Sequence, residues 1–299
     1  MIFDTAATRH SPLAAWHAAR ASAWRMRAGM ALPAAYRDAV DEHAPVILQD
    51  LSWRARCGCK GPRAEQWLRR RGIAVPQSFN SWLLGDGIFT ARLAASEFLI
   101  ESWSDDEGAH SGKDEVVQAL AIDLATTSSL ASGLQEGVQE SEQEGLQKGM
   151  QAGWPQAPLE SSRAALPGSG LYPVIRQDLA IGLRGPRAND LLLETCSVDF
   201  RELVARSEMS EAAGRSDAAH GRVHTDTTAG TTDSDRHERT EAGILVMTSM
   251  VGVGVTVSAR RVAATVEYTI WSDPSFGPYL WTTLVEVAKS LHGGVRPSV

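Results

Sequence analysis

Hydrophobic residues recur along this chain with two periods, and the periods come twice in the same order. Leu51, Trp53, Ala55, Cys57 and Cys59 alternate with Ser52, Arg54, Arg56, Gly58 and Lys60. That period of two predicts a half-buried strand. A turn, Lys60-Gly61-Pro62-Arg63, follows, and then Ala64, Trp67 and Leu68 share a helical face. Trp82–Leu93 and Glu97–Glu101 predict two strands around a turn near Ala94. A helix is predicted from Asp114 to Leu130, with Val116, Leu120 and Leu124 on one face.

The order then returns. Leu179, Ile181 and Leu183 alternate, Arg184-Gly185-Pro186-Arg187 repeats the turn, and Ala188, Leu191 and Leu192 form the next helical face. Ile244–Ser258 and Thr265–Ser272 predict two more strands. Pro278–Leu291 predicts a helix with Leu280, Leu284, Val287 and Leu291 aligned, stopped by Gly293 and Gly294. In both copies of the turn glycine bends the chain without steric cost, and proline suits the first helical position, where an N–H has no partner to lose. Each half therefore reads strand, helix, strand, strand, helix. The expected architecture is α+β: a duplicated unit, residues 1–131 and 171–299, whose sheets pair into one pseudo-symmetric domain.

Composition separates the halves. Residues 132–170 are rich in Gln, Glu and Gly and read as a low-complexity linker, and residues 206–242 read as a polar insertion. A net charge of −7 without a basic block argues against nucleic acid or an anionic membrane as partner. No apolar run approaches the roughly 18 residues of a membrane span. The N-terminal stretch has early charges and no continuous apolar core, so no signal peptide is expected. Three cysteines are too few for a disulfide framework, and a cytoplasmic location is expected.

Candidate chemistry is sparse. Cys57-Gly58-Cys59 has the look of a metal pair, but zinc needs further ligands at suitable spacing, and the two thiols share the apolar side of a strand, which favours packing. Cys196 lacks a basic partner and is also read as packing. His10, His17, His43, His110 and His292 are scattered, and His220, His224 and His237 fall in the polar insertion. Asp50 and Asp178 are read at strand starts, where aspartate organises turns. Gly252-Val253-Gly254 lies within a strong strand pattern, and glycine there marks close approach of a partner chain, a ligand or the other half of the domain. Trp271, Phe276, Tyr279 and Trp281 form an aromatic group that suits either an interface or a core seam. Gly252, Gly254, Trp271, Phe276, Tyr279 and Trp281 are therefore the candidate interface residues. No catalytic, cofactor-binding or metal-ligating residue is assigned.

Longer phrases carry a resemblance. Ser11-Pro12-Leu13, His17, Gly29, Pro33, Tyr36, Glu42 and Asp50-Leu51-Ser52 resemble the opening of the glycine-cleavage aminomethyltransferase (T-protein) family, and Leu83–Glu101 resembles its following hairpin. The stretches YPVIRQDLAIGLRGPRANDLLLETCSVDF, MTSMVGVGVTV and EYTIWSDPSFGPYLWTTLVEVA resemble the gamma subunit of heterotetrameric sarcosine oxidase. The similarity covers Ser11 to about Ser104 and Leu171 to Gly294. Arg27 and Met30 stand where the T-protein opening carries aromatics. Where the transferases place an acidic pair after a Gly-rich turn, this chain has Asp86 within the turn and apolar residues after it. The chain is read as stopping before the transferases' C-terminal barrel.

The resemblance implies an aminomethyltransferase folate-binding-like domain acting as a non-catalytic, gamma-type subunit. Its partners would be alpha, beta and delta subunits of a cytoplasmic flavin-dependent complex that demethylates sarcosine or a similar N-methyl amine, within sarcosine catabolism and one-carbon metabolism. FAD, FMN, NAD, tetrahydrofolate and zinc would belong to the other subunits. The alternatives are a free-standing tetrahydrofolate-dependent aminomethyltransferase and a regulatory protein on the same fold.

Overall fold

The computed structural model describes residues 9–103, 112–127, 170–204 and 241–298, residue 264 apart. Helix α1 (Ala14–Arg20) leads into a two-stranded arm, β1 (Ala21–Arg27) and β2 (Met30–Tyr36). The other strands are β3 (Ile47–Asp50), β4 (Arg56–Lys60), β5 (Ser81–Gly85), β6 (Ile88–Ala94), β7 (Glu97–Ser102), β8 (Tyr172–Val174), β9 (Leu179–Arg184), β10 (Glu241–Met250), β11 (Val253–Val262), β12 (Thr265–Ser272) and β13 (Gly294–Val295). Among them run α2 (Ala64–Arg70), α3 (112–127), α4 (Ala188–Thr195), α5 (200–204) and α6 (Gly277–Ser290). The fold is mixed α+β.

The eleven strands β3–β13 form one sheet in the order β13-β3-β9-β12-β11-β10-β5-β6-β7-β4-β8. All its pairs are antiparallel except β13 with β3. The sheet cannot be flat. β6 and β12 lie four steps apart, about 19 Å in a flat sheet, yet the rings of Phe89 and Trp271 stand 5.4 Å apart. The sheet therefore curls, and its inner face closes around Trp82, Phe89, Leu99, Trp103 and Trp271.

Its outer face carries the helices in two separate cores. Ala64, Trp67 and Leu68 of α2, with Val117, Leu120 and Leu124 of α3, cover β4 and β7. Leu191 and Leu192 of α4, with Leu280, Trp281, Leu284 and Ala288 of α6, cover β9, β11 and β12.

The helical faces read from α2, α4 and α6 are buried, with Val287 of α6 only partly so. On α3 the buried residue is Val117, and Val116 is exposed. Val117, Leu120 and Leu124 give the i, i+3, i+7 stripe that faces the sheet.

Strand boundaries differ more. Three strands, β5–β7, follow α2 and three, β10–β12, follow α4, because each long apolar run breaks at a two-residue hairpin. Asp86 and Gly87 have φ of 50° and 65°, and Val251 and Gly252 have 44° and 84°. Positive φ at both central residues twists a hairpin in the sense the strands prefer. Gly252 is thus a turn residue, and only Gly254 lies in a strand. Residues 51–55 are a turn rather than the start of β4, since Asp50 Oδ1 accepts from the Ser52 N–H and Leu51 O from the Arg54 N–H. The 132–170 linker and the 206–242 insertion lie outside the described residues, except that Gly170 is placed and Glu241 and Ala242 begin β10.

Candidate functional site

The six candidate interface residues do not gather into one patch. Trp281 is fully buried under α6, where its ring meets Trp16 edge-on at 5.4 Å. Trp271 points to the inner face, and its Nε1–H donates to Glu101 at 2.9 Å. Alternation explains the separation: Ile270 of β12 faces the helices, and Trp271 faces the curl.

The other four lie on the β10–β11 hairpin and at the start of α6. Phe276 and Tyr279 are 52% and 56% exposed, at the start of α6. The Tyr279 hydroxyl donates to Val251 O at 3.1 Å, which sets it against the β10–β11 hairpin tip. Val251 is β-branched and held at φ 44°, a strained conformation. Its N–H is tied to Thr195 O at 2.8 Å. A Cβ at Gly252 or Gly254 would meet open space, so neither glycine is required by packing within the chain. From Gly254 the surface continues into a cleft of about 500 Å³ lined by Met247, Thr256, Trp271, Asp178 and Asp273. Met247 is 55% exposed.

The centre of the curl holds a charge cluster that the sequence reading missed. Glu101 is fully buried. Its carboxylate accepts from Arg54 Nη1 at 3.2 Å, Arg56 Nε at 2.8 Å and Trp271 Nε1 at 2.9 Å. Arg56 also donates to Asp178 O at 2.7 Å and Leu51 O at 3.1 Å. Beside this cluster opens a groove of about 360 Å³. Trp53, Arg54, Trp103, Arg184 and Arg260 line it. Arg27 lies 3.6 Å over the Trp53 ring and Arg54 lies 4.0 Å over that of Trp103. Trp103 Nε1 and Arg184 Nε are buried donors with no partner among the described residues. Guanidinium groups, indole faces and spare donors suit a planar anion.

Asp50 and Asp178, read as similar turn formers at strand starts, differ in setting. Asp50 ends β3 and lies fully inside. Its Oδ2 accepts from Ser11 Oγ and from His17 Nε2 at 2.8 Å, while Tyr36 Oη contacts His17 Nδ1 at 2.9 Å. Burial pushes the Asp50 carboxyl up, but the hydrogen bonds and charge of His17, with Ser11 and Ser52, hold it below the usual carboxylate range. Burial pushes the Tyr36 hydroxyl far up, so it stays protonated. Ser11, His17, Tyr36 and Asp50 all belong to the opening phrase singled out above, and they lock the N-terminal segment to the sheet. Asp178 is only partly buried. Burial raises its carboxyl against the pull of Arg176 and Arg56, and its Oδ2 has no partner among the described residues.

Cys57, Cys59 and Cys196 are buried and unbridged. Burial pushes both Cys57 and Cys59 up to about 12, so they remain thiols. Among the described residues no group of three or more His, Cys, Asp or Glu side chains converges as a metal site. No described helix is long and apolar enough to cross a membrane.

No family model matches the sequence, and no curated protein matches it. Among solved structures the chain is similar to the glycine cleavage system aminomethyltransferase T from Bartonella henselae, with a TM-score of 0.44 and 13% identity. That match covers 97% of this chain and 59% of the other, so the chain spans about three-fifths of that enzyme's length. It is also similar to a chain of heterotetrameric sarcosine oxidase from Corynebacterium sp. U-96 in complex with pyrrole 2-carboxylate. There the TM-score is 0.48 and the identity 13%, over 96% of this chain and 97% of that one.

Proposed function

We propose that this chain is an accessory, gamma-type subunit of a heterotetrameric, flavin-dependent complex that oxidatively demethylates sarcosine or a similar N-methyl amine. The observation that carries the proposal is the apron formed by Phe276 and Tyr279 against the Val251-Gly252 tip, with Gly254 and Met247 exposed on the other face of the same hairpin. Large side chains are half exposed there, glycines leave room above the sheet, and a strained turn is pinned by hydrogen bonds from both sides. Aromatic residues around an open apolar surface are what a subunit interface needs. On this reading residues 1–131 and 171–299 are duplicated halves of one cytoplasmic scaffold. The matching turns at Gly61 and Gly185 support that reading. The flavins, nicotinamide, folate and zinc sit on the alpha, beta and delta subunits.

The test is isolation of the tagged full chain from the cells that produce it. The expected result is an assembly much heavier than 32.2 kDa that carries flavin and oxidises N-methyl amino acids, and that loses this chain when Phe276→Asp and Tyr279→Asp are introduced together. A lone chain without flavin would overturn the proposal.

The arginine–tryptophan groove favours a second reading, a free-standing tetrahydrofolate-dependent enzyme. Tetrahydrofolate titration of the purified chain separates the two. Tight binding with one-carbon transfer in the absence of partners would support the second reading against the first.

A further inference from the structure

A cavity of about 610 Å³ belongs neither to the apron nor to the arginine–tryptophan groove. It lies where β4 and the 173–177 segment face α3 and the β1–β2 turn. Three cations line it, Arg9, Arg56 and Arg176, with the amides of Gln118 and Gln177. No carboxylate is among its described lining residues.

The three cations are not equally neutralised. Arg56 is held by Glu101 at 2.8 Å, and Arg176 Nη2 by Glu97 at 2.6 Å. Among the described residues Arg9 donates only to the carbonyls of Trp53 and Ser52, at 3.3 and 3.2 Å. The nearest acid acting on it, Asp114, is already bound to Ser102 Oγ and the Ala55 N–H. Burial and then repulsion from Arg56 push the Arg9 guanidinium below its ordinary value, against a weaker pull from Asp114.

Arg176 adds a second mark of an unfilled site. Its Nε is buried and has no partner among the described residues. A Cβ at Gly58 would stand 3.0 Å from that atom, so glycine is what lets the guanidinium lie over β4. The remaining wall is apolar. Leu124 is buried, and Ile175 at the rim is 83% exposed.

One surplus positive charge, a spare buried donor and an apolar wall describe a recognisable ligand. We propose that this cleft binds a small monocarboxylate with an apolar body. The head is taken by Arg9 and Arg176 and the body by Leu124, Val174 and Ile175.

Calorimetric titration of the full chain tests this with sodium octanoate, octan-1-ol, octylammonium and octyl phosphate as probes. Octanoate is expected to bind about tenfold more tightly than the alcohol or the amine. Gln177→Glu, which adds a negative charge at the exposed rim, is expected to weaken octanoate about fivefold, and Arg9→Gln to weaken it further. Should Arg9→Gln fail to fold, Gln177→Glu carries the test. The alcohol binding as well as octanoate, octyl phosphate binding more tightly than octanoate, or octanoate affinity unmoved by Gln177→Glu would each overturn the proposal. Phe276→Asp lies on a separate surface and is expected to leave octanoate binding unchanged, so loss of partner binding and loss of this site are read separately.

Discussion

Gly61 and Gly185 occupy turns of nearly the same shape, with φ of +112° and +111°. Each is pressed against one backbone carbonyl, Gly170 O in the first case and Pro45 O in the second, and a Cβ at either position would overlap it. The N–H groups of Arg63 and Arg187 donate to those same carbonyls, both at 2.9 Å. Each turn is thus closed by the segment that leads into the flanking strand of its own sheet edge, β8 beside β4 and β3 beside β9. The flanks differ. β3 is buried and covered in turn by β13, while β8 is the outermost strand, with Tyr172 half exposed. The same short sequence sets the same turn twice, and what lies beyond the edge decides how firmly it is held.

The largest expected loss comes from breaking the tie between the halves. Glu101 on β7 accepts from Arg54, Arg56 and, across the curl, Trp271 on β12. Glu101→Ala strands two arginines in the interior and is expected to cost about 3–5 kcal/mol in urea unfolding. A loss near zero would mean that the curl does not depend on this cluster. Next come the two turns. Gly185→Ala and Gly61→Ala each force a side chain into positive φ against a carbonyl, at an expected cost of about 2–3 kcal/mol. The loss should be greater at Gly185, whose buried edge cannot yield. Equal losses would remove the distinction between the edges.

Smaller and opposite effects are expected from Asp50 and Asp178. The folded-state carboxyl of Asp50 lies below its ordinary value, so the native state binds that proton less readily than the unfolded chain. Its contribution is present above the ordinary aspartate range, near pH 4, and is lost as pH falls through the lower folded value. Asp50→Asn should flatten the acid limb of a stability–pH curve. Asp178 is raised, so its contribution is present below the ordinary value and is lost as pH rises through the folded one. Asp178→Asn should therefore stabilise the protein at neutral pH. Denaturant midpoints measured from acid to neutral pH would show both signs, and matching signs would contradict the contrast drawn between the two sites.

Sequence pattern located α2, α3, α4 and α6, because a buried stripe at 3.6-residue spacing is local information, but it offered neither α1 nor α5, which are too short to show one. It misplaced Val116 for Val117, since Leu120 and Leu124 are compatible with either phase. It ran through Asp86-Gly87 and Val251-Gly252 because apolar and β-branched residues crowd both sides of these turns. In the second case a valine occupies a position with positive φ that favours Asn, Asp or Gly. The inner cluster was illegible for a different reason. Glu101 and Trp271 meet only because the sheet curls, and Ser11 and His17 reach Asp50, and Tyr36 reaches His17, only once the N-terminal arm has docked. Nothing in the alternation of Ile270 and Trp271 says which face a helix will cover, so the aromatic group, read as either an interface or a core seam, is split between two interiors and an exposed edge.

The central claim is that the apron binds partner subunits. Phe276→Asp with Tyr279→Asp is expected to leave the isolated chain folded at a cost of about 1–2 kcal/mol, since the hydrogen bond from Tyr279 to Val251 O is lost with it. The decisive measurement is light scattering with flavin absorbance on the tagged chain purified from its native cells, wild type beside this double variant. The account predicts a flavin-bearing assembly for the wild type and a bare monomer for the variant. Identical assemblies from both, or a flavin-free monomer from the wild type, would contradict it.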